Sequence, residues 1–204
     1  MHGWYLFSYT LSKLILRIFF RMRVIHPERL LEEGGVIYAA NHASYLDPPI
    51  IGICCRKPIY YLARKTLMQW PILGPIFPSL NVVPIDQERA DMSALKKIIK
   101  LVREGHRTII FPEGARTEDG QLGPAQPGLG LVVSKTRAPV VPMRIFGSRE
   151  AFPRGASRVR LARITVVIGE PIFFTEADFS RGREAYLEIS QRVLGAIANL
   201  KLPG

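Results

Sequence analysis

Short apolar runs rich in β-branched residues, separated by turn signals and by stretches of helical period, constrain the fold of this chain more than any other feature. Residues 36–40, 59–63, 82–85, 108–111, 140–145 and 164–168 read as strands. The first of these is apolar throughout and ends at Asn41, which places it in a core. Residues 92–102 read as a helix carrying Lys96, Lys97 and Lys100 outward, capped by Asp91 or Ser93 and stopped at Glu104-Gly105. Pro71, Gly74, Pro75 and Pro78 break the preceding stretch into turns. The glycines and prolines between Gly120 and Gly130 form a loop into a short helix near 129–135, and 183–200 is an amphipathic terminal helix. Strands alternating with helices predict an α/β fold with a mostly parallel central sheet flanked by helices. In such sheets ligands bind beyond the carboxyl ends of the strands.

The chain of 204 residues is one domain's worth. Its formal net charge of +11 and pI near 10.1 point to an anionic partner, which nucleic acid, an anionic bilayer or an acidic protein would each satisfy. Between Gly34 and Gln87 the only carboxylates are Asp47 and Asp86, and Arg154, Arg158, Arg160 and Arg163 have no acid among them. Cys54 and Cys55 are neighbours, too close for an ordinary disulfide, and read as core thiols in a reducing compartment. No Cys/His spacing suggests a metal site, and the loop glycines match no nucleotide-binding pattern.

Residues 1–23 are apolar and aromatic but interrupted by Lys13, Arg17 and Arg21. Spaced by four, these cations form one stripe on a helix. Charges in the middle of the run disfavour a spanning helix and a signal peptide. The pattern predicts an amphipathic, membrane-associated interfacial helix over 1–23 followed by a single domain over 24–204.

Two segments carry chemistry. In Asn41-His42-Ala43-Ser44-Tyr45-Leu46-Asp47, a His steered by a carboxylate can take the proton from a hydroxyl, because the carboxylate fixes the tautomer and stabilises the imidazolium that forms. His and Asp five apart on a continuous helix would point about 140° away from each other. The pair meets only if His42 precedes the helix, and Ser44 with Asp47, followed by Pro48 and Pro49, marks a helix start just there. In Phe111-Pro112-Glu113-Gly114-Ala115-Arg116, a strand end runs into a turn and an arginine able to grip an anion. No Gly-x-Ser-x-Gly elbow occurs and neither cysteine has a His nearby in sequence, so the nucleophile is expected to be the substrate's own hydroxyl.

In order and spacing, Asn-His-x4-Asp at 41–47, Leu-Asn-Val-Val-Pro-Ile-Asp at 80–86, Phe-Pro-Glu-Gly-x-Arg at 111–116 and Ala-Pro-Val-Val-Pro-Met-Arg-Ile at 138–145 resemble the four blocks of the glycerolipid acyltransferase family, which includes 1-acylglycerol-3-phosphate acyltransferases. The resemblance covers residues 36–147. It implies that His42 is the general base, that Asp47 orients it, and that Glu113, Gly114 and Arg116 help bind a phosphate-bearing acceptor, with Asn41 and Lys65 as further substrate-binding candidates. It implies transfer of a fatty acyl group to a lysophospholipid acceptor, giving phosphatidic acid, without a cofactor. The thioester co-substrate it implies is acyl-CoA or acyl carrier protein. A peripheral or monotopic place on the cytoplasmic face of a membrane fits this reading. Three positions depart from the pattern: Gln87 follows Asp86 where Arg is usual, with the next Arg at Arg89; Ala115 replaces a common Thr, with Thr117 after Arg116; and Gln126 replaces a common Lys. Acylation of glycerol 3-phosphate or of a lyso-aminolipid is the alternative within enzymes. A non-enzymatic basic protein for membranes or nucleic acid is the alternative outside them, although no nucleic-acid recognition signature is present and no nucleic-acid partner is expected.

Overall fold

A computed structural model describes residues 3–69, 81–85 and 92–203. The expected turns at Pro71 to Pro78, the cap at Asp91 and the departures around Asp86, Gln87 and Arg89 lie outside those residues.

Seven strands form one sheet: β1 (Arg23–Ile25), β2 (Val36–Ala40), β3 (Ile59–Arg64), β4 (Val82–Ile85), β5 (Arg107–Ile110), β6 (Val140–Phe146) and β7 (Thr165–Ile168). Their spatial order is β1-β7-β6-β2-β5-β3-β4. Strands β6, β2, β5, β3 and β4 are parallel to one another, whereas β7 pairs antiparallel with β6 and β1 pairs parallel with β7. The sheet is therefore mostly parallel, as expected, with an edge pair that runs the other way. Strand β1 has only three residues, one exposed and two half-buried, and carries too short a run to be read from periodicity.

Helices cover both faces. Alternate residues of β2 divide between two cores: Val36, Tyr38 and Ala40 pack with Ile50 and Ile51 of α2 (Asp47–Cys54) and Leu16 of α1 (Gly3–Phe19). Ile37 and Ala39 face the opposite core, with Ile98 and Val102 of α3 (Met92–Arg103), Val132 and Val133 of α4 (Gly128–Thr136), and Ile189, Val193 and Ile197 of α6 (Glu184–Asn199). A strand buried on both faces needs no polar alternation, which explains why β2 is apolar throughout. A single turn of helix, α5 (Ser148–Ala151), follows β6. Cys55 is buried, which pushes its thiol up to about 12 and keeps it neutral, in line with a core thiol.

Helix α1 is not a detached appendage. Tyr5, Leu16 and Phe20 are buried, and the Tyr9 hydroxyl donates to the Ile53 carbonyl of α2 at 3.4 Å. The expected stripe of three cations is corrected here. The helix ends at Phe19, Phe20 turns into the core, and Arg21 takes a left-handed φ of 44°. The Met22 amide then closes the end by donating to the Leu16 carbonyl at 3.1 Å. Only Lys13 and Arg17 share the helical face; Arg21 leaves it because the chain must swing into β1. Opposite the buried face, at 100° per residue, lie Phe7, Leu11, Leu14 and Ile18, all exposed. Among the described residues no helix is long and apolar enough to cross a membrane.

Candidate active site

The carboxyl ends of three adjacent parallel strands, β6, β2 and β5, build the site. Asn41 leaves β2 and staples it to β6: its amide donates to the Ile145 carbonyl at 3.0 Å and its carbonyl accepts from the Ile145 amide at 2.7 Å. Asn41 is buried and spent on this pairing, so its part in the site is to fix where β2 ends. Because Ala39 stands beside Ile110 in the β2–β5 register, the residues that follow, His42 and Phe111, come together. Their rings stack at 3.9 Å between centroids and 12° between planes.

His42 lies before the helix, as the five-residue spacing requires, and Asp47 is the first residue of α2. The His42 Nδ1 is 2.9 Å from Asp47 Oδ2. The same oxygen accepts the Ala43 amide at 2.8 Å and the Ser44 amide at 2.7 Å. A carboxylate that is fully buried and holds two backbone amides is fixed in place, and as an acceptor it selects the tautomer with hydrogen on Nδ1. The Nε2 lone pair is then left to accept a proton from substrate, on a side chain that is 17% exposed. The capping-box expectation at Ser44 is realised in part: Asp47 reaches back to the Ser44 amide, while the Ser44 hydroxyl accepts from Leu46 at 3.1 Å and donates to the Phe152 carbonyl at 2.8 Å.

Glu113 sits behind the histidine. One oxygen accepts the His42 amide at 2.8 Å and the other the Gly123 amide at 2.9 Å. Burial raises its pKa, partly offset by these two amides. This carboxylate ties the backbone of His42 to the 120s loop, which places it as a support for the base. Gly114 takes a φ of 73°, a left-handed turn that glycine accommodates without strain, and its amide returns to the Phe111 carbonyl at 3.0 Å. The turn carries the chain on to Thr117, whose amide donates to the His42 carbonyl at 2.9 Å. Arg116 is thereby held at the mouth of the site, its guanidinium carbon 3.6 Å from the centroid of the Tyr45 ring. Its Nη1 is buried and, among the described residues, has no hydrogen-bond partner. A buried guanidinium nitrogen with nothing to donate to suits an arriving anion. Lys65 is exposed just past the end of β3.

Sequence reasoning missed the stacking of Phe111 on His42 and the platform Tyr45 gives Arg116. Each depends on β2 and β5 being neighbours, which no local pattern reveals. Among the described residues no group of three His, Cys, Asp or Glu side chains is placed to hold a metal ion.

A parallel sheet thus carries, at its carboxyl edge, a His–Asp pair and an arginine with one buried guanidinium nitrogen that has no hydrogen-bond partner among the described residues. The chain belongs to the acyltransferase family, whose sequence profile, described as Acyltransferase, matches residues 21–146, more than half of the chain. A 1-acyl-sn-glycerol-3-phosphate acyltransferase of Bacillus subtilis is 29% identical over 180 residues, covering 86% of this chain and 85% of that protein. A chloroplastic protein of the same activity name from Brassica napus is 30% identical over 145 residues, covering 70% of this chain and 42% of that one. The chain thus spans less than half the length of such plant relatives. The crystal structure of the 1-acyl-sn-glycerophosphate (LPA) acyltransferase of Thermotoga maritima shares the fold, with a TM-score of 0.74 at 23% identity over 96% of this chain and 80% of that one.

Proposed function

We propose that this protein transfers a fatty acyl group from a thioester donor to the free hydroxyl of 1-acylglycerol 3-phosphate, forming phosphatidic acid at the cytoplasmic face of an anionic membrane. The observation that carries this reading is the His42–Asp47 contact of 2.9 Å on the same strand edge as Arg116, whose Nη1 is buried and unpaired. The names of the relatives support the choice of acceptor.

In this mechanism Nε2 of His42 takes the proton of the acceptor hydroxyl as its oxygen attacks the thioester carbonyl. The C–O bond forms, the C–S bond breaks, and the proton passes from the imidazolium to the leaving thiolate. Asp47 holds the tautomer and stabilises the transient imidazolium. Arg116 pairs with the acceptor phosphate, and its planar fork, stacked on Tyr45, matches two phosphate oxygens at once. Acyl-CoA and acyl carrier protein both fit the basic surface as donor. The exposed face of α1 would hold the site against the lipid surface from which the acceptor enters.

The test is an acyl-transfer assay on membranes with one long-chain thioester and a panel of acceptors. Turnover is expected with 1-acylglycerol 3-phosphate in preference to glycerol 3-phosphate and lyso-aminolipids. His42→Ala should lower the rate by about 10² to 10⁴ with an unchanged circular dichroism spectrum, and Asp47→Asn by at least about tenfold through loss of the charge behind the imidazolium. A folded His42→Ala protein with most of its activity would overturn the mechanism.

A further inference from the structure

The segment between α5 and β7 is unaccounted for by the proposed chemistry. Arg158, Val159, Arg160, Leu161 and Arg163 are all exposed, in a stretch with no regular secondary structure. Leu161 is 74% exposed, the most exposed large apolar side chain among the described residues, and Val159 is 50% exposed. Among the described residues the guanidinium groups of Arg158, Arg160 and Arg163 have no acidic partner, unlike Arg154, which pairs with Glu118 at 3.2 Å. Apolar tips set between unpaired cations gain nothing from water and would lose both exposure and self-repulsion at an anionic, partly apolar surface.

The two ends of the segment are anchored, and the anchors decide what it faces. At one end Phe152 packs on Tyr45 at 5.2 Å between ring centroids, and Tyr45 in turn carries Arg116. In the middle the Arg160 amide donates to the Ala151 carbonyl at 2.8 Å, while Ala162 packs on the core. At the other end the Ile164 amide donates to the Phe20 carbonyl at 3.0 Å, directly after the end of α1. The segment therefore bridges the mouth of the site to the helix whose outer face is apolar.

We propose that residues 158–163 are a second membrane-docking element, in which Leu161 and Val159 enter the interfacial region of an anionic leaflet and Arg158, Arg160 and Arg163 bind its headgroups. Together with α1 the segment gives the protein contacts on two sides of the acceptor entrance, which fixes orientation as well as attachment. An acidic carrier protein would answer the same charges, but the two exposed aliphatic tips favour a lipid surface. The proposal rests on the membrane placement given above and extends it to a specific loop.

The experiment measures binding of the full-length protein to vesicles of phosphatidylglycerol and phosphatidylcholine by flotation, beside acyl transfer to a water-soluble short-chain 1-acylglycerol 3-phosphate. Each cation near an anionic leaflet is worth about fivefold in partitioning. The variant R158E/R160E/R163E should therefore need at least about tenfold more anionic lipid for half-binding. Leu161→Ser should weaken binding by a smaller factor that added salt does not change. Both variants should keep kcat/KM on the soluble acceptor within about twofold, which also shows that they fold. Vesicle binding equal to wild type by both variants would overturn the proposal. Intact vesicle binding with loss of activity only from a carrier-protein donor would overturn it in favour of a protein partner, and loss only on the soluble acceptor would assign the arginines to the substrate site. Failure of the wild type to acylate the soluble acceptor would count against the proposed reaction and leave the vesicle result to be read by itself.

Discussion

At the scale of single residues, the site separates groups that meet substrate from groups that hold them. In the proposed mechanism Arg116 belongs to the first kind. A charge-assisted hydrogen bond of this sort is worth about 1.5 to 3 kcal/mol, so Arg116→Ala should raise the acceptor KM by roughly tenfold or more and leave the donor KM unchanged. Arg116→Lys should restore only part of the loss, because a point charge cannot reproduce the fork. Steady-state kinetics with each substrate varied in turn check this. Glu113 belongs to the second kind. Since both its oxygens accept backbone amides, Glu113→Gln turns an NH2 group toward one of them and should lower kcat through displacement of His42. Burial raises the pKa of Glu113 above that of the unfolded chain, so the folded state binds its proton more tightly. Its contribution to stability is full below the ordinary Glu range and is lost as pH rises through the raised value. The stability difference between wild type and Glu113→Gln should accordingly shift toward the variant between pH 4 and pH 7, which urea unfolding at the two pH values measures.

At the scale of elements, the contact of α4 with α6 sets how closely the helical layer can pack on the sheet. Gly130 lies in the first turn of α4, where a backbone amide has no partner in its own helix. The Ser190 hydroxyl of α6 accepts that amide at 3.0 Å, and Ser190 is fully buried. A Cβ on Gly130 would stand 1.9 Å from the Tyr186 carbonyl oxygen, so the helices can approach this far only with glycine there. Gly130→Ala should destabilise the fold by about 1 to 3 kcal/mol or more through overpacking. Ser190→Ala should cost about 1 to 3 kcal/mol by stranding the buried amide. Denaturant midpoints report both, and neither change should alter the ratio of kcat for different acceptors, since the helix pair lies on the core opposite α1 and α2.

At the scale of the whole molecule, α1 has two apolar faces, one buried and one exposed. Tyr5 and Leu16 close the core against α2, and Phe7, Leu14 and Ile18 point away from it. Deleting the helix would therefore confound stability with attachment. Replacing Phe7, Leu14 and Ile18 with Ser removes only the outer face, and should weaken vesicle binding by at least about tenfold while leaving the thermal midpoint unchanged, since these side chains are already exposed. Lys13→Glu with Arg17→Glu should weaken binding to anionic vesicles and not to zwitterionic ones. Flotation and a thermal melt on the same samples separate the two effects.

The sequence by itself determined the short-range features. The strands at 36–40 and 82–85, the helix at 92–102, the need for His42 to precede the helix that Asp47 begins, and the paired motifs at 41–47 and 111–116 all follow from local period, turn chemistry and the reach of a few residues. Only the tertiary structure decided the rest. The adjacency of β2 and β5 brings Phe111 and Glu113 to His42, and the segment from Phe152 to Ile164 carries the chain from the Tyr45 platform to the end of α1, where β7 starts back antiparallel to β6. The swing of Phe20 into the core takes Arg21 off the cationic stripe. Strand order and helix ends of this kind are chosen by which distant surfaces fill the two cores most completely, and that choice leaves no signature in the residues nearby.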